Sequence, residues 1–414
     1  MLQNPNYEPR TLLEAFDVGP IAHTFLRDTF FAAREYPPSS LVEFDFRRGR
    51  RRMAPFVAPL VGGKVMERMG YETRFFRAPR IAPVRNLRTA DLEARLPGET
   101  IYQGRQAADR AADLLAEDAI YLDEAITRRE EWMCRNVLIN GSIAVTADNG
   151  YTDYITYLEY ATPGQGNMGV GPSPAPNVSV TSNHYVPATF WNDTTNADPL
   201  NDLELARLQV IKLSGISPNV VLMSQDTRQA FLNNQKVYNF FHNRRFEFGL
   251  IQPIIQDEAV VLIGRIPGLE IYTYAEYFED DFGNLFPMIP PGLAIMASTN
   301  HQNKIVYGAF TQLEDARAQR FVTYQTARIP FVYGDEQNGH LFYRLTSCPL
   351  PMPLDILGIC IVQAMSGAGV GPYDVTDAKF AEDSSAPKVG DEDRGPQSAE
   401  HEASHKSSHK GHSK

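Results

Sequence analysis

The 414 residues are 43% hydrophobic and 21% charged, enough to bury a sizeable core and to form two or three folded units. No apolar run reaches the roughly 18 residues a helical membrane span needs. Met1-Leu2-Gln3-Asn4-Pro5 lacks the basic-then-apolar layout of a signal peptide, so folding is expected in the cytoplasm. The net charge of −11 is lopsided: residues 46–95 hold 13 Lys and Arg against 4 Asp and Glu, leaving −20 on the rest, so the basic segment can meet acids of another copy or a polyanion.

Residues 1–40 read as an arm. Pro5, Pro9, Pro20, Pro37 and Pro38 break it up, yet Phe25, Leu26, Phe30 and Phe31 give it apolar anchors. Anchors without a core imply docking on another domain or another subunit. Residues 41–95 read as a long β-hairpin. Val42, Phe44 and Phe46 alternate with Glu43, Asp45 and Arg47, the period of a strand, and a second extended run covers Glu72 to Val84. The breaker-rich stretch Pro55–Gly63 forms the tip. An ordinary surface hairpin is the plainer alternative.

A helix is expected over about 104–140. Thr100 and Gln103 fit a capping box, and Asn140-Gly141 supplies a stop. Between them Ala108, Leu115, Ala119, Leu122, Ile126, Met133 and Val137 recur at threes, fours and sevens, over a length of roughly 50–60 Å. Asp109, Asp113, Glu117, Asp118, Asp123, Glu124, Arg128, Arg129 and Glu130 read as its charged faces. Arg129 and Glu130 interrupt the apolar seam, which argues against a coiled coil. Residues 96–197 continue with aromatic strands around Tyr154, Tyr157 and Tyr160 and a loop from Pro163 to Pro176. Residues 198–320 read as an α/β unit, with Leu203–Lys212 and Asp226–Asn234 helical and Asn219–Met223, Val260–Ile263 and Leu269–Tyr274 extended. Residues 321–366 return to strand. The polar tail 367–414 lacks the apolar surface to offset its ordering entropy, so disorder is expected.

Little in the chain looks like a reaction centre. Cys134, Cys348 and Cys360 form no C-x-x-C pair and read as small buried apolar residues. The tail histidines His401, His405, His409 and His412 are spaced for a helix that has no reason to form, and an appended tag is another reading. Glu279-Asp280-Asp281-Phe282-Gly283-Asn284 lacks the ligand ladder of a calcium loop and reads as a hairpin turn. No nucleophile elbow, phosphate loop, zinc-protease helix or dinucleotide fingerprint occurs, so no enzyme activity, metal or cofactor is expected. The cationic run Arg47, Arg48, Arg50, Arg51, Arg52 fits either phosphates or acids on a neighbouring subunit. No nucleic-acid-binding motif surrounds it, so subunit contact is favoured.

The order arm, long hairpin, long helix, α/β unit, returning strands is similar to the major capsid proteins of tailed phages, the α+β fold of the Hong Kong 97 type. More narrowly, the chain resembles the lambda-type family called major capsid protein E. Phe25-Leu26-Arg27 with Phe30, Phe31 and Tyr36-Pro37 resembles that family's arm motif. Val57-Ala58-Pro59-Leu60-Val61-Gly62-Gly63-Lys64-Val65 resembles its loop motif V-S-P-I-V-S-G-E-V. Trp191 followed by Asp198-Pro199-x-Asn201-Asp202-Leu203-Glu204 resembles its W…D-P-x-D-D-I-E, and Asn219–Met223 resembles the next strand. Ser347-Cys348-Pro349-Leu350 resembles its closing S-A-P-L.

The resemblance spans about residues 20–365; the loop 163–176 and the tail have no counterpart. It implies a self-assembling icosahedral shell of pentamers and hexamers around double-stranded DNA, built first with a scaffolding protein and joined by portal and decoration proteins. The shell would belong to the virion, and assembly to the host cytoplasm. In it 41–95 would be the extended loop, 96–197 and 321–366 the peripheral domain with its spine helix, and 198–320 the axial domain. The expected subunit-interface residues are Phe25, Leu26, Arg27, Phe30, Arg47, Arg48, Arg50, Arg51, Arg52, Pro59, Gly63 and Lys64. Some relatives of the wider fold cross-link a loop lysine to an asparagine; the lambda-type family generally does not, so none is expected at Lys64. An encapsulin-like compartment shell is the runner-up, followed by a nucleic-acid-binding protein using residues 47–95.

Overall fold

Val220–Met223 carries four consecutive buried apolar residues because its neighbours cover it on all sides. It is the middle strand of a seven-stranded sheet ordered His184–Tyr185, Cys360–Gln363, Leu293–Ala297, Val220–Met223, Leu269–Tyr274, Val260–Ile266, Ile254–Asp257. It runs parallel to Leu269–Tyr274 and antiparallel to Leu293–Ala297. In this computed structural model the described residues are 22–46, 53–57, 63, 65–66, 72–93, 107–146, 152–157, 184–242, 254–257, 259–279, 283–300, 303–315, 320–335, 339–354 and 356–366. All belong to one compact unit. The expected capping box at Thr100, the loop 163–176 and the tail 367–414 lie outside the described residues.

The helices Pro199–Leu213, Gln225–Asn233 and Gln235–His242 contribute to the apolar core of this sheet, which includes Trp191, Leu203, Val210, Phe231, Ile271 and Met296. The first of these helices starts where it does for local reasons. Asp198 caps it by accepting from the Asn201 N–H at 3.3 Å, and Pro199 stands where a missing N–H costs nothing. One turn in, Asp202 turns inward. It accepts from Trp191 Nε1 at 3.0 Å and from the Tyr185 hydroxyl at 3.1 Å, and burial raises its carboxyl above the usual range. The sheet also takes strands His184–Tyr185 and Cys360–Gln363 from outside residues 198–320. Lys304–Tyr307, inside that span, instead pairs with Ala33–Glu35 and Pro349–Met352.

The long helix runs Ala107–Asn140, 34 residues, and stops at Gly141, whose φ of 64° lets its N–H return to the Val137 carbonyl at 3.1 Å. Its two halves differ. Leu122 and Ile126 face Leu345, Ile81 and Tyr343, whereas every residue from Glu130 to Ile139 is buried. Glu130 is therefore not part of a solvated face, contrary to the sequence expectation; Asp118 is buried too. Glu130 survives there because Arg328 clamps it: Nη1 lies 2.6 Å from Oε1 and Nη2 3.3 Å from Oε2. The same guanidinium reaches Asp123 Oδ1 at 2.6 Å and Thr127 Oγ1 at 3.2 Å. Arg328 thus ties the start of the strand Ile329–Asp335 to the long helix. That strand pairs with His340–Thr346, which pairs in turn with Val84–Arg88.

Two predictions follow from these polar anchors. Arg328→Ala should cost about 3–5 kcal/mol, because Glu130 then keeps only one cation in a buried site, and Arg328→Lys should restore little since it cannot form the fork. Asp202→Ala should cost about 2–4 kcal/mol by stranding two buried donors, against about 1 kcal/mol for loss of the Asp198 cap. Urea unfolding of the purified variants measures both; equal costs for Asp202→Ala and Asp198→Ala would contradict the assigned roles.

Candidate assembly interface

The hairpin ladder Leu41–Phe46 with Glu72–Arg77 is antiparallel, from Leu41↔Arg77 to Phe46↔Glu72. Alternation splits it into two faces. Val42 and Phe76 are buried, and Phe76 lies against Tyr157 with ring centroids 5.1 Å apart. On the other face Leu41 and Phe75 are 50% and 59% exposed, beside Glu43 and Arg77. Among the described residues no third strand joins this pair. Towards the tip, Met53, Phe56 and Val65 are also exposed, as is Gly63, with nothing within 4 Å of where a Cβ would stand. Arg47, Arg48, Arg50, Arg51, Arg52, Pro59 and Lys64 lie outside the described residues.

The arm residues sit elsewhere. Phe25–Phe30 forms a short helix, the arm helix, on the long helix. Leu26 and Phe30 are 0% and 2% exposed. Their apolar side chains are used up inside this chain, so in this conformation they offer no surface to a second subunit. Phe25 is partly buried, its ring 5.8 Å from that of Tyr274. Arg27 turns its guanidinium to Glu130, Nη1 to Oε2 at 3.1 Å, and to Asp28 at 3.0 Å. The acids beside it hold its pKa up although burial acts the other way.

The arm helix makes no side-chain cap of its own at Thr24. Two of its first free N–H groups are taken instead by Glu131 of the long helix: Leu26 N to Oε1 at 2.7 Å and Arg27 N to Oε2 at 2.9 Å. The Tyr274 hydroxyl, from the seven-stranded sheet, donates to Oε1 at 3.0 Å. Sequence reasoning missed Glu130, Glu131, Tyr274 and Arg328. One signal was there. Ile126, Glu130, Met133 and Val137 share a stripe, and a charge on an apolar stripe is either an interruption or a buried, paired group.

Among the described residues no group of three or more His, Cys, Asp or Glu could hold a metal, and no helix is long and apolar enough to cross a membrane.

Comparison with known proteins places this architecture. The model of the family Phage major capsid protein E matches residues 8–171 and 177–364, breaking only within the Gly- and Pro-rich loop. The P21 prophage-derived major head protein of Escherichia coli O6:H1 is 23% identical over 294 residues, 70% of this chain and 78% of that one. The major capsid protein of Escherichia phage lambda is 23% identical over 287 residues, 68% and 76% respectively. A crystal structure of a protein assigned as a prophage capsid protein of E. coli CFT073 has a TM-score of 0.57 at 16% identity, covering 84% of this chain and 94% of that one, which shows a shared fold. With its α+β fold of the Hong Kong 97 type and a family match along nearly all of residues 8–364, the chain belongs to the phage major capsid protein E family and is a lambda-type major capsid protein of the tailed-phage head.

Proposed function

We propose that copies of this chain close into pentamers and hexamers of an icosahedral shell around double-stranded DNA, with the hairpin 41–95 of each copy lying across a neighbour. Within the subunit, most of 96–197 and 321–366 acts as the peripheral domain, with the long helix as spine, and most of 198–320 as the axial domain, which also takes the strands His184–Tyr185 and Cys360–Gln363 and gives up Lys304–Tyr307. The single observation that carries the reading is the two-stranded hairpin whose outer face, Leu41 and Phe75, is left bare by its own chain. An isolated two-stranded ladder is marginal in water, and covering it by association supplies the missing burial. The arginines 47–52 then meet acids of the neighbour, each pair weak but repeated over every copy. A scaffolding protein guides assembly in the host cytoplasm, and portal and decoration proteins join the virion shell. No catalytic role is assigned. The encapsulin-like alternative is disfavoured because the family match is to phage capsid proteins; DNA rather than an enzyme inside the particle separates the two.

Electron microscopy of the full chain co-expressed with its scaffolding protein tests this. Closed shells, or rings of five and six subunits, are expected. Replacing Arg47, Arg48, Arg50, Arg51 and Arg52 together by Ala should abolish closed shells while leaving the circular dichroism of the subunit unchanged. Dispersed monomers despite scaffold, with tight and salt-sensitive DNA binding lost in the same variant, would instead make the basic loop a nucleic-acid site.

A further inference from the structure

We propose that Glu131 is a proton-operated latch: its carboxylate holds the arm helix on the long helix, and its protonation sets how firmly the arm is docked. This rests on the subunit alone and stands or falls independently of the shell reading. Glu131 is 0% exposed and bridges three elements: the arm helix through the Leu26 and Arg27 N–H groups, the seven-stranded sheet through Tyr274, and its own long helix. Other ionisable groups surround this junction. The arm contributes His23, Arg27 and Asp28, the long helix Glu130 and Cys134, the sheet side Tyr274 and Glu276, and the returning strands Arg328. Arg27 and Arg328 both direct their guanidinium groups to Glu130. The donors that Glu131 takes among the described residues are neutral.

The geometry accommodates a proton. Tyr274 Oη lies 3.0 Å from Glu131 Oε1 and 3.5 Å from the His23 carbonyl. With Glu131 ionised, the hydroxyl donates to it. With Glu131 protonated at Oε1, the new O–H donates to Tyr274 Oη and the hydroxyl turns to the His23 carbonyl, while Oε2 still accepts from Arg27 N. Burial pushes the Glu131 carboxyl up to about 7, outweighing its hydrogen bonds from Arg27, Leu26 and Tyr274 and the Arg27 charge. A lifted arm lets water reach Glu131 and returns it towards the usual carboxylate range. The docked arm therefore holds the proton more tightly than the lifted arm. Docking is strengthened as pH falls through 7 and loosened as it rises.

Hydrogen exchange of the amides of residues 25–31 in the purified full chain, normalised to intrinsic rates, reads the latch directly. Protection should be about tenfold higher at pH 6 than at pH 8, the rise setting in as pH falls below about 7 and continuing towards the usual carboxylate range. Glu131→Gln, which cannot titrate, should abolish that slope. Should that variant not fold, Tyr274→Phe carries the test, because it keeps the carboxylate, removes one donor and moves the onset of the rise to higher pH. His23→Asn should keep the slope. Equal protection at both pH values in the wild type, a slope that persists in Glu131→Gln, an unmoved onset in Tyr274→Phe or a slope lost in His23→Asn would overturn the proposal.

Discussion

Two adjacent carboxylates, buried side by side in the long helix, are the constraint on which the rest of the subunit depends. A bare buried carboxylate costs several kcal/mol, so Glu130 and Glu131 must each be supplied with donors from elsewhere. The chain brings them from far away in sequence: Arg27 from 103 residues before Glu130, Arg328 from 198 residues after it, and Tyr274 from 143 residues after Glu131. Satisfying these two side chains fixes where the arm helix lies, where the returning strand begins and that the Tyr274 end of the strand Leu269–Tyr274 meets the long helix. Apolar burial within each element contributes more free energy. It is not directional, and it would tolerate several relative placements that the fork of Arg328 on Glu130 does not.

The hairpin obeys the opposite logic. Val42 and Phe76 are buried, Phe76 against Tyr157, and anchor its base, whereas Leu41 and Phe75 one residue along each strand face outward. A one-residue shift in register would exchange the two sets. The pairing Val42↔Phe76 and Leu41↔Arg77 therefore decides both what the hairpin gains from its own chain and what it leaves for a partner. The subunit combines a polar junction that is complete in itself with an apolar ladder that is not.

Elements set by local chemistry could be read from the sequence. The periodicity over Leu122, Ile126, Met133 and Val137 and the stop at Gly141 locate the long helix that the structure shows as Ala107–Asn140. Asp198-Pro199 marks a helix start, and the apolar run to Met223 marks a buried strand. Pairings across long separations could not be read. Nothing in Cys360–Gln363 or His184–Tyr185 says that they join the sheet of Val220–Met223, and nothing in Ala33–Glu35 names Lys304–Tyr307 as its partner. The burial of the arm anchors Leu26 and Phe30 is legible in the sequence, but not whether another domain or another subunit covers them. The charges failed for a related reason. Glu130 on an apolar stripe is compatible with a broken seam or a paired ion, and only the position of Arg328 chooses between them.

Directional contacts tie the long helix to the arm helix, the returning strand and the seven-stranded sheet. Trp191, Leu203, Phe231 and Ile271 hold the seven-stranded sheet and its helices together. Its links to the long helix include the Tyr274–Glu131 bond and the bond from Arg135 Nε to the Met288 carbonyl at 2.9 Å. Changing an apolar core requires repacking many side chains at once. Changing a joint requires the exchange of a few hydrogen bonds, and Tyr274 already has a second acceptor in reach. A subunit built this way can alter the relation between its parts while each part stays folded, and at Glu131 the donors are neutral and the acceptor can take up a proton.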